Sequence, residues 1–112
     1  MDKTISIHQP DFFPWLGFFE KIARSNIFVV LDDVQYLRRA YHNRDKILIN
    51  GIEKWITIPT LNKGNYNILI KNVKIDNSNN WKKSFLKTIH HNYKKQKNFE
   101  NFYPKIEKII NQ

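Results

Sequence analysis

The sequence predicts a mixed α/β (or α+β) fold, with an amino-terminal β-α-β unit, then a β-hairpin, a further strand and two carboxy-terminal helices. Three observations carry that prediction. Ile5 and Ile7 alternate with Thr4 and Ser6, an apolar stripe at helical spacing follows, and Ile27–Leu31 is a second short apolar run. Asn50-Gly51 separates two extended apolar segments, the pattern of a tight hairpin turn whose two central residues both take positive φ. From Trp81 onward the period of two is lost and apolar residues recur every three or four positions.

Taken in order, the first strand stops at His8-Gln9-Pro10, because proline has no N–H to give a ladder. Pro14 is expected as the first helical residue, where a fixed φ and a missing N–H cost nothing. Leu16, Phe19 and Ile22 form the helical stripe, with Phe18 beside them, and Leu16 and Phe19 are assigned to the core. The second strand runs out into Asp32 and Asp33. Strand–helix–strand crossovers are right-handed with parallel strands, and their ligands collect outside the carboxyl ends of those strands, near a helix N-terminus. His8, Gln9, Asp32 and Asp33 all fall there.

Residues 34–44 show neither period and read as a loop that presents binding groups on a scaffold. The hairpin is placed at 46–49 and 52–58, with Trp55 on one face and Pro59 as its end. Residues 60–66, containing Lys63-Gly64-Asn65, read as a loop. Asn67–Ile75 alternates with a phase slip at Lys71-Asn72, which predicts a strand carrying a bulge. One helix bears Trp81, Phe85, Leu86, Ile89 and Tyr93 on its apolar side and lysines opposite. The last holds Phe102, Ile106, Ile109 and Ile110, with Pro104 tolerable in its first turn.

At 112 residues and 41% hydrophobic, residues 1–112 fit one domain with a core of modest size. The lack of cysteine excludes a disulfide framework, a thiolate nucleophile and a thiolate metal site. No apolar run is long enough for a bilayer and no basic-then-apolar leader opens the chain, so a cytoplasmic protein is expected. The net charge of +9 is uneven. Residues 1–60 carry eight Lys/Arg against seven Asp/Glu, whereas residues 61–112 carry eleven against three. The excess is lysine, a point charge, and not the guanidinium that grips phosphate in a fork. A solvated basic surface is therefore favoured over a nucleic-acid site. His90-His91 are not metal ligands, because helical neighbours diverge by about 100°. No metal is expected and no particular cofactor is specified, since no phosphate loop, nucleophile elbow or zinc-finger spacing occurs.

The candidate residues each have a bland alternative. His8 weighs evenly between a proton-shuttling group and one that merely satisfies backbone where the strand stops. Asp32 and Asp33 could hold a cation or accept sugar hydroxyls. Successive residues point oppositely, so Asp32 is placed toward the site and Asp33 could instead close an Asx-turn. Asn43 and Arg44 make an anion clamp or an ordinary surface pair. Of the aromatic cluster, Trp15 in the first turn is the one set aside as a ligand contact.

The motifs HQPxxFPWxGFFxKI, SxxFVVLDDVQY, NRxKI, the Asn-Gly turn, WxTxP and WKKSFLKTIHHNY together resemble the WbqC-like family along the whole chain. The resemblance implies a bacterial role in surface-polysaccharide (O-antigen, lipopolysaccharide) precursor biosynthesis: aminoacyl or acyl transfer to a nucleotide-linked sugar. It tips His8 toward function, as general base or oxyanion partner, with Asp32 and Gln9 on hydroxyls and Arg44 on phosphate. It also covers Gln35, Tyr36 and Asn43. Family members continue past position 112. The resemblance therefore implies the amino-terminal portion of a family domain, with a second polypeptide supplying the rest, or an inactive truncated member. A reading from another class is a nucleic-acid-binding module that uses the lysine face of residues 81–97.

Overall fold

A computed structural model of the chain describes residues 2–62 and 64–112, so Lys63 of the expected loop lies outside the described residues. The elements run β1 (Ile5–His8), α1 (Leu16–Arg24), β2 (Ile27–Val30), β3 (Arg44–Ile49), β4 (Ile52–Thr57), α2 (Trp81–Tyr93) and α3 (Phe99–Ile110), with a 3-10 turn at Ile70–Asn72. Strands β1 and β2 are parallel, Ile5 beside Ile27 and His8 beside Val30, as the crossover requires. Strands β3 and β4 form a separate antiparallel pair, with Ile49 opposite Ile52. Asn50 at φ 52° and Gly51 at φ 76° make the turn that this dipeptide favours.

The core lies between the hairpin and the two carboxy-terminal helices. Ile56, Phe85, Leu86, Ile89 and Ile110 are buried together, and Ile47, Trp81, Tyr103 and Ile106 pack around them. Helix α2 is also bonded to the hairpin: the Leu48 N–H donates to the Tyr93 hydroxyl and the Asn50 N–H to Asn92 Oδ1, both at 2.9 Å. Phe12 and Phe13, from the turn between β1 and α1, reach into this core. Their rings stack at 4.2 Å and stand 5.9 and 6.2 Å from Phe85.

Four expectations are corrected. Residues 67–75 form no strand. The phase slip becomes the 3-10 turn, and only isolated bridges, Gln35 with Leu69 and Thr60 with Ile75, flank it. The N–H groups of Ile70 and Lys71 donate instead to the carbonyls of Val34 and Asp32 beyond β2, which bends the segment out of a ladder. Helix α1 starts at Leu16 and not at Pro14, because Phe13 is left-handed at φ 45° and Trp15 is extended. Helix α3 starts at Phe99, so Pro104 sits past its first turn and removes one N–H from the helical ladder. Leu16 and Phe19 are not core: they are 86% and 51% exposed. Helix α1 meets its sheet through Phe18, 5.3 Å from Phe28, and its Leu16–Phe19–Ile22 stripe faces away. Among the described residues, no helix is long and apolar enough to cross a membrane.

Burial this uneven predicts uneven mutational cost. Ile89→Ala should destabilise the chain by about 2–5 kcal/mol in urea unfolding. Leu16→Ala, at an exposed position, should stay within about 0.5 kcal/mol of the parent chain.

Candidate functional site

The turn that leaves β1 is His8-Gln9-Pro10-Asp11, and it meets the loop that leads into β3. Two backbone and side-chain ties hold the two together. The Phe12 N–H donates to the Tyr41 carbonyl at 2.8 Å, and His42 Nε2 lies 2.9 Å from Gln9 Oε1. The Leu37 N–H points at His42 Nδ1 at 3.4 Å, which leaves Nδ1 as acceptor and places the proton on Nε2, where it donates to Gln9. His42 also packs against the buried Tyr36 ring, 5.6 Å away.

His8 takes the opposite tautomer. Its Nδ1 is 2.6 Å from the Gln9 carbonyl, which can only accept, so Nδ1 carries the proton and Nε2 keeps its lone pair. Asp11 Oδ2 stands 3.9 Å from the same Nδ1. The Phe18 edge, 5.0 Å away, fixes the ring from the other side. A base with an oriented lone pair and a carboxylate behind it is the arrangement that proton abstraction needs.

Asp11 also borders a cleft of about 400 Å³, together with Phe12, Pro14, Trp15, Tyr41 and Asp45. Its volume lies within the range of about 300–1,000 Å³ typical of small-molecule sites. Two carboxylates with Trp15 and Tyr41 give acceptors for hydroxyls and flat faces for an apolar ring. The same carboxylates repel phosphate. Trp15 lies across the first turn of α1: a Cβ at Gly17 would collide with the indole ring, so glycine there is what lets the indole lie flat.

His8 and Gln9 meet Asp11 and His42 at the corner, Trp15 lines the cleft that Asp11 borders, and the other sequence candidates are engaged elsewhere. Asp32 and Asp33 are exposed beyond β2, away from the corner residues of the described chain. Gln35 donates to the Tyr66 carbonyl. The Asn43 amide donates to the Ile58 carbonyl at 2.8 Å. The Arg44 guanidinium is taken up by the carbonyls of Ala40 and Arg39 and lies 3.9 Å above the Trp55 ring. Its role in the fold is to hold the loop that carries Tyr41 and His42. Among the described residues, no group of acidic or histidine side chains is arranged to hold a metal ion. Sequence reasoning missed Asp11, Tyr41, His42 and Asp45. Asp11 was legible as the one charge inside an aromatic turn, whereas His42 lies 34 residues from His8 in a loop without period.

The sequence profile of the WbqC-like protein family matches residues 9–112. A protein of Mycobacterium tuberculosis (strain ATCC 25618 / H37Rv), described as the uncharacterized protein Rv1507c, is 34% identical over 91 residues, which are 81% of this chain and 39% of that protein. The chain thus spans well under half the length of this relative. No solved structure matches it. The chain belongs to the WbqC-like protein family.

Burial lowers the pKa of His42 from its ordinary value of 6.5, and the Asp11 carboxylate only partly opposes this. A depressed value means that the neutral ring is the folded form. Its contribution to stability is full above pH 6.5 and is lost as the pH falls from there through the folded-state pKa. Thermal melts between pH 7.5 and 5.5 should therefore show the parent chain losing more of its melting temperature than His42→Asn does.

Proposed function

We propose that the corner and its cleft bind the sugar of a nucleotide-linked sugar and take part in acyl or aminoacyl transfer to it during surface-polysaccharide precursor biosynthesis. The observation that carries the reading is the cleft itself, with Asp11 and Asp45 set among Trp15 and Tyr41, and Asp11 3.9 Å from the His8 imidazole, whose Nε2 has no hydrogen-bond partner among the described residues. Carboxylates accept hydroxyl hydrogens and aromatic faces cover the C–H faces of a pyranose. In the transfer step His8 takes the proton from the attacking sugar hydroxyl as its oxygen bonds to the acyl carbon. Asp11 stabilises the imidazolium, which then returns the proton to the donor's departing group. Gln9, held by His42, is left with its amide N–H groups for the substrate. The nucleotide lies outside the cleft, where acidic groups do not repel its phosphates.

A melt of the 112-residue chain with nucleoside-diphosphate hexoses, the matching nucleoside diphosphates and short RNA, at two salt concentrations, tests this reading. Stabilisation by the nucleotide sugar but not by the diphosphate alone, at both salts, is expected. Asp11→Asn and Trp15→Ala should each weaken binding by about tenfold or more. His8→Ala should bind and fail to turn over. Stabilisation by RNA alone, lost at high salt, would favour the lysine face of α2 and the residues after it instead. Gly17→Ala gives a sharper check: it improves helix propensity by about 1 kcal/mol, so the melting temperature should hold or rise while sugar affinity falls, because the indole is displaced.

A further inference from the structure

The 3-10 turn at Ile70–Asn72 does more than interrupt a strand. In an extended segment Ile70 and Val73, three residues apart, would point to opposite faces. In a 3-10 turn residues three apart lie one above the other, so both come to the same side. There they line a cavity of about 190 Å³ together with Ile58 and Ile75. Ile75 is 45% exposed, which leaves the cavity open to solvent on that side.

Irregular segments frame this cavity, and backbone bonds fix each of them. The Tyr36 N–H donates to the Ile68 carbonyl at 2.8 Å and the Ile70 N–H to the Val34 carbonyl at 2.9 Å. Asn43 and Ile58 exchange two bonds at 2.8 Å, one from the Ile58 N–H to the Asn43 carbonyl and one from the Asn43 amide to the Ile58 carbonyl. The Leu61 N–H donates to the Lys74 carbonyl at 2.8 Å and the Asp76 N–H to the Pro59 carbonyl at 2.9 Å. Paired backbone, and not side-chain packing alone, thus holds the space open.

The polar groups around it are few. Tyr36 lines the cavity and is only 6% exposed, and its hydroxyl has no hydrogen-bond partner among the described residues. No described polar side-chain atom sealed from solvent lacks a partner, so this hydroxyl reaches accessible space, which the cavity supplies. Thr60 Oγ1 donates to Asn62 Oδ1 at 2.8 Å and keeps its lone pairs. Among the described residues no lysine, arginine or carboxylate lines the cavity, and burial favours the neutral ring of His42. An ion entering it would lose hydration without gaining a counter-charge. Apolar cavities of about 150 Å³ take up benzene, so this one has room for a molecule of about that size.

We propose that this cavity is a second binding site, which takes a neutral molecule with a short aliphatic body and one amide head. The body lies among Ile58, Ile70, Val73 and Ile75. The Tyr36 hydroxyl donates to the carbonyl of the head, and Thr60 Oγ1 accepts from its N–H. The site shares no lining residue with the Asp11–Asp45 cleft. His42 borders it and bonds Gln9 at 2.9 Å, so an occupant touches the residue that braces the corner.

Nuclear magnetic resonance titration of the 112-residue chain with isovaleramide tests this, with isovalerate and isopentylamine as charged analogues of the same body. Saturable binding of the amide is expected, with a Kd of about 1 mM or tighter, contacts from the probe to the Ile70 and Val73 methyl groups, and a shift of the His42 ring signals. The two charged analogues should bind about tenfold more weakly or worse. Tyr36→Phe removes a hydroxyl that the fold leaves unpartnered, so the melting temperature should hold while amide affinity falls about three- to tenfold. Val73→Phe fills the space and should abolish the contacts; should that variant fail to fold, Tyr36→Phe still decides. The proposal is overturned by the absence of saturable binding, by isovalerate binding as tightly as the amide, or by an affinity that Tyr36→Phe leaves unchanged.

Discussion

The stacked pair Phe12–Phe13 is the constraint on which the rest of the arrangement depends. The β1-α1-β2 unit has little core of its own, and α1 contains no buried residue. This pair, inserted against Phe85, packs it onto the hairpin and the carboxy-terminal helices, beside the bonds from Phe12 to Tyr41 and from His42 to Gln9. Seating both rings forces Phe13 into a left-handed conformation, which costs on the order of 1–3 kcal/mol for a bulky residue and persists only where packing compensates. The same reversal of the chain turns Asp11 back toward His8 and delays the start of α1 to Leu16. Core packing and site geometry are thus two consequences of one turn.

Around that anchor the polar groups are mutually determined. A carbonyl at His8 Nδ1 and an N–H at His42 Nδ1 impose opposite tautomers on two rings that share Gln9 as a neighbour. Gln9 gives its backbone carbonyl to one ring and its side-chain oxygen to the other. Asp11 acts on both, near His8 in space and opposing the effect of burial on His42. Burial wins at His42, so the ring that braces Gln9 stays neutral and keeps its acceptor nitrogen. Arg44, lying on Trp55 and capped by two carbonyls, secures the far end of the same loop.

Stability and function are distributed unequally as a result. The hairpin and the last two helices hold the buried aliphatic core. The amino-terminal unit holds the polar corner and the open apolar surface. Segments with few buried contacts open at lower free energy than the core.

By itself the sequence determined what depends on local rules. Asn50-Gly51 set the hairpin and its register, alternation and crossover chirality set β1 and β2 parallel, and the Trp81–Tyr93 stripe set the buried side of α2. It also marked the His8-Gln9 corner and Trp15, because they fall where a strand ends and a helix begins. Tertiary structure alone decided whether apolar meant buried. Leu16 and Phe19 have helical spacing, yet no layer within these residues packs over them. It alone decided that residues 67–75 would bond to the carbonyls beyond β2 in place of forming a strand. It alone brought His42, Tyr41 and Asp45 to a corner far from them in the chain. Periodicity reports the face a residue occupies, but only the packing of distant segments supplies what that face meets.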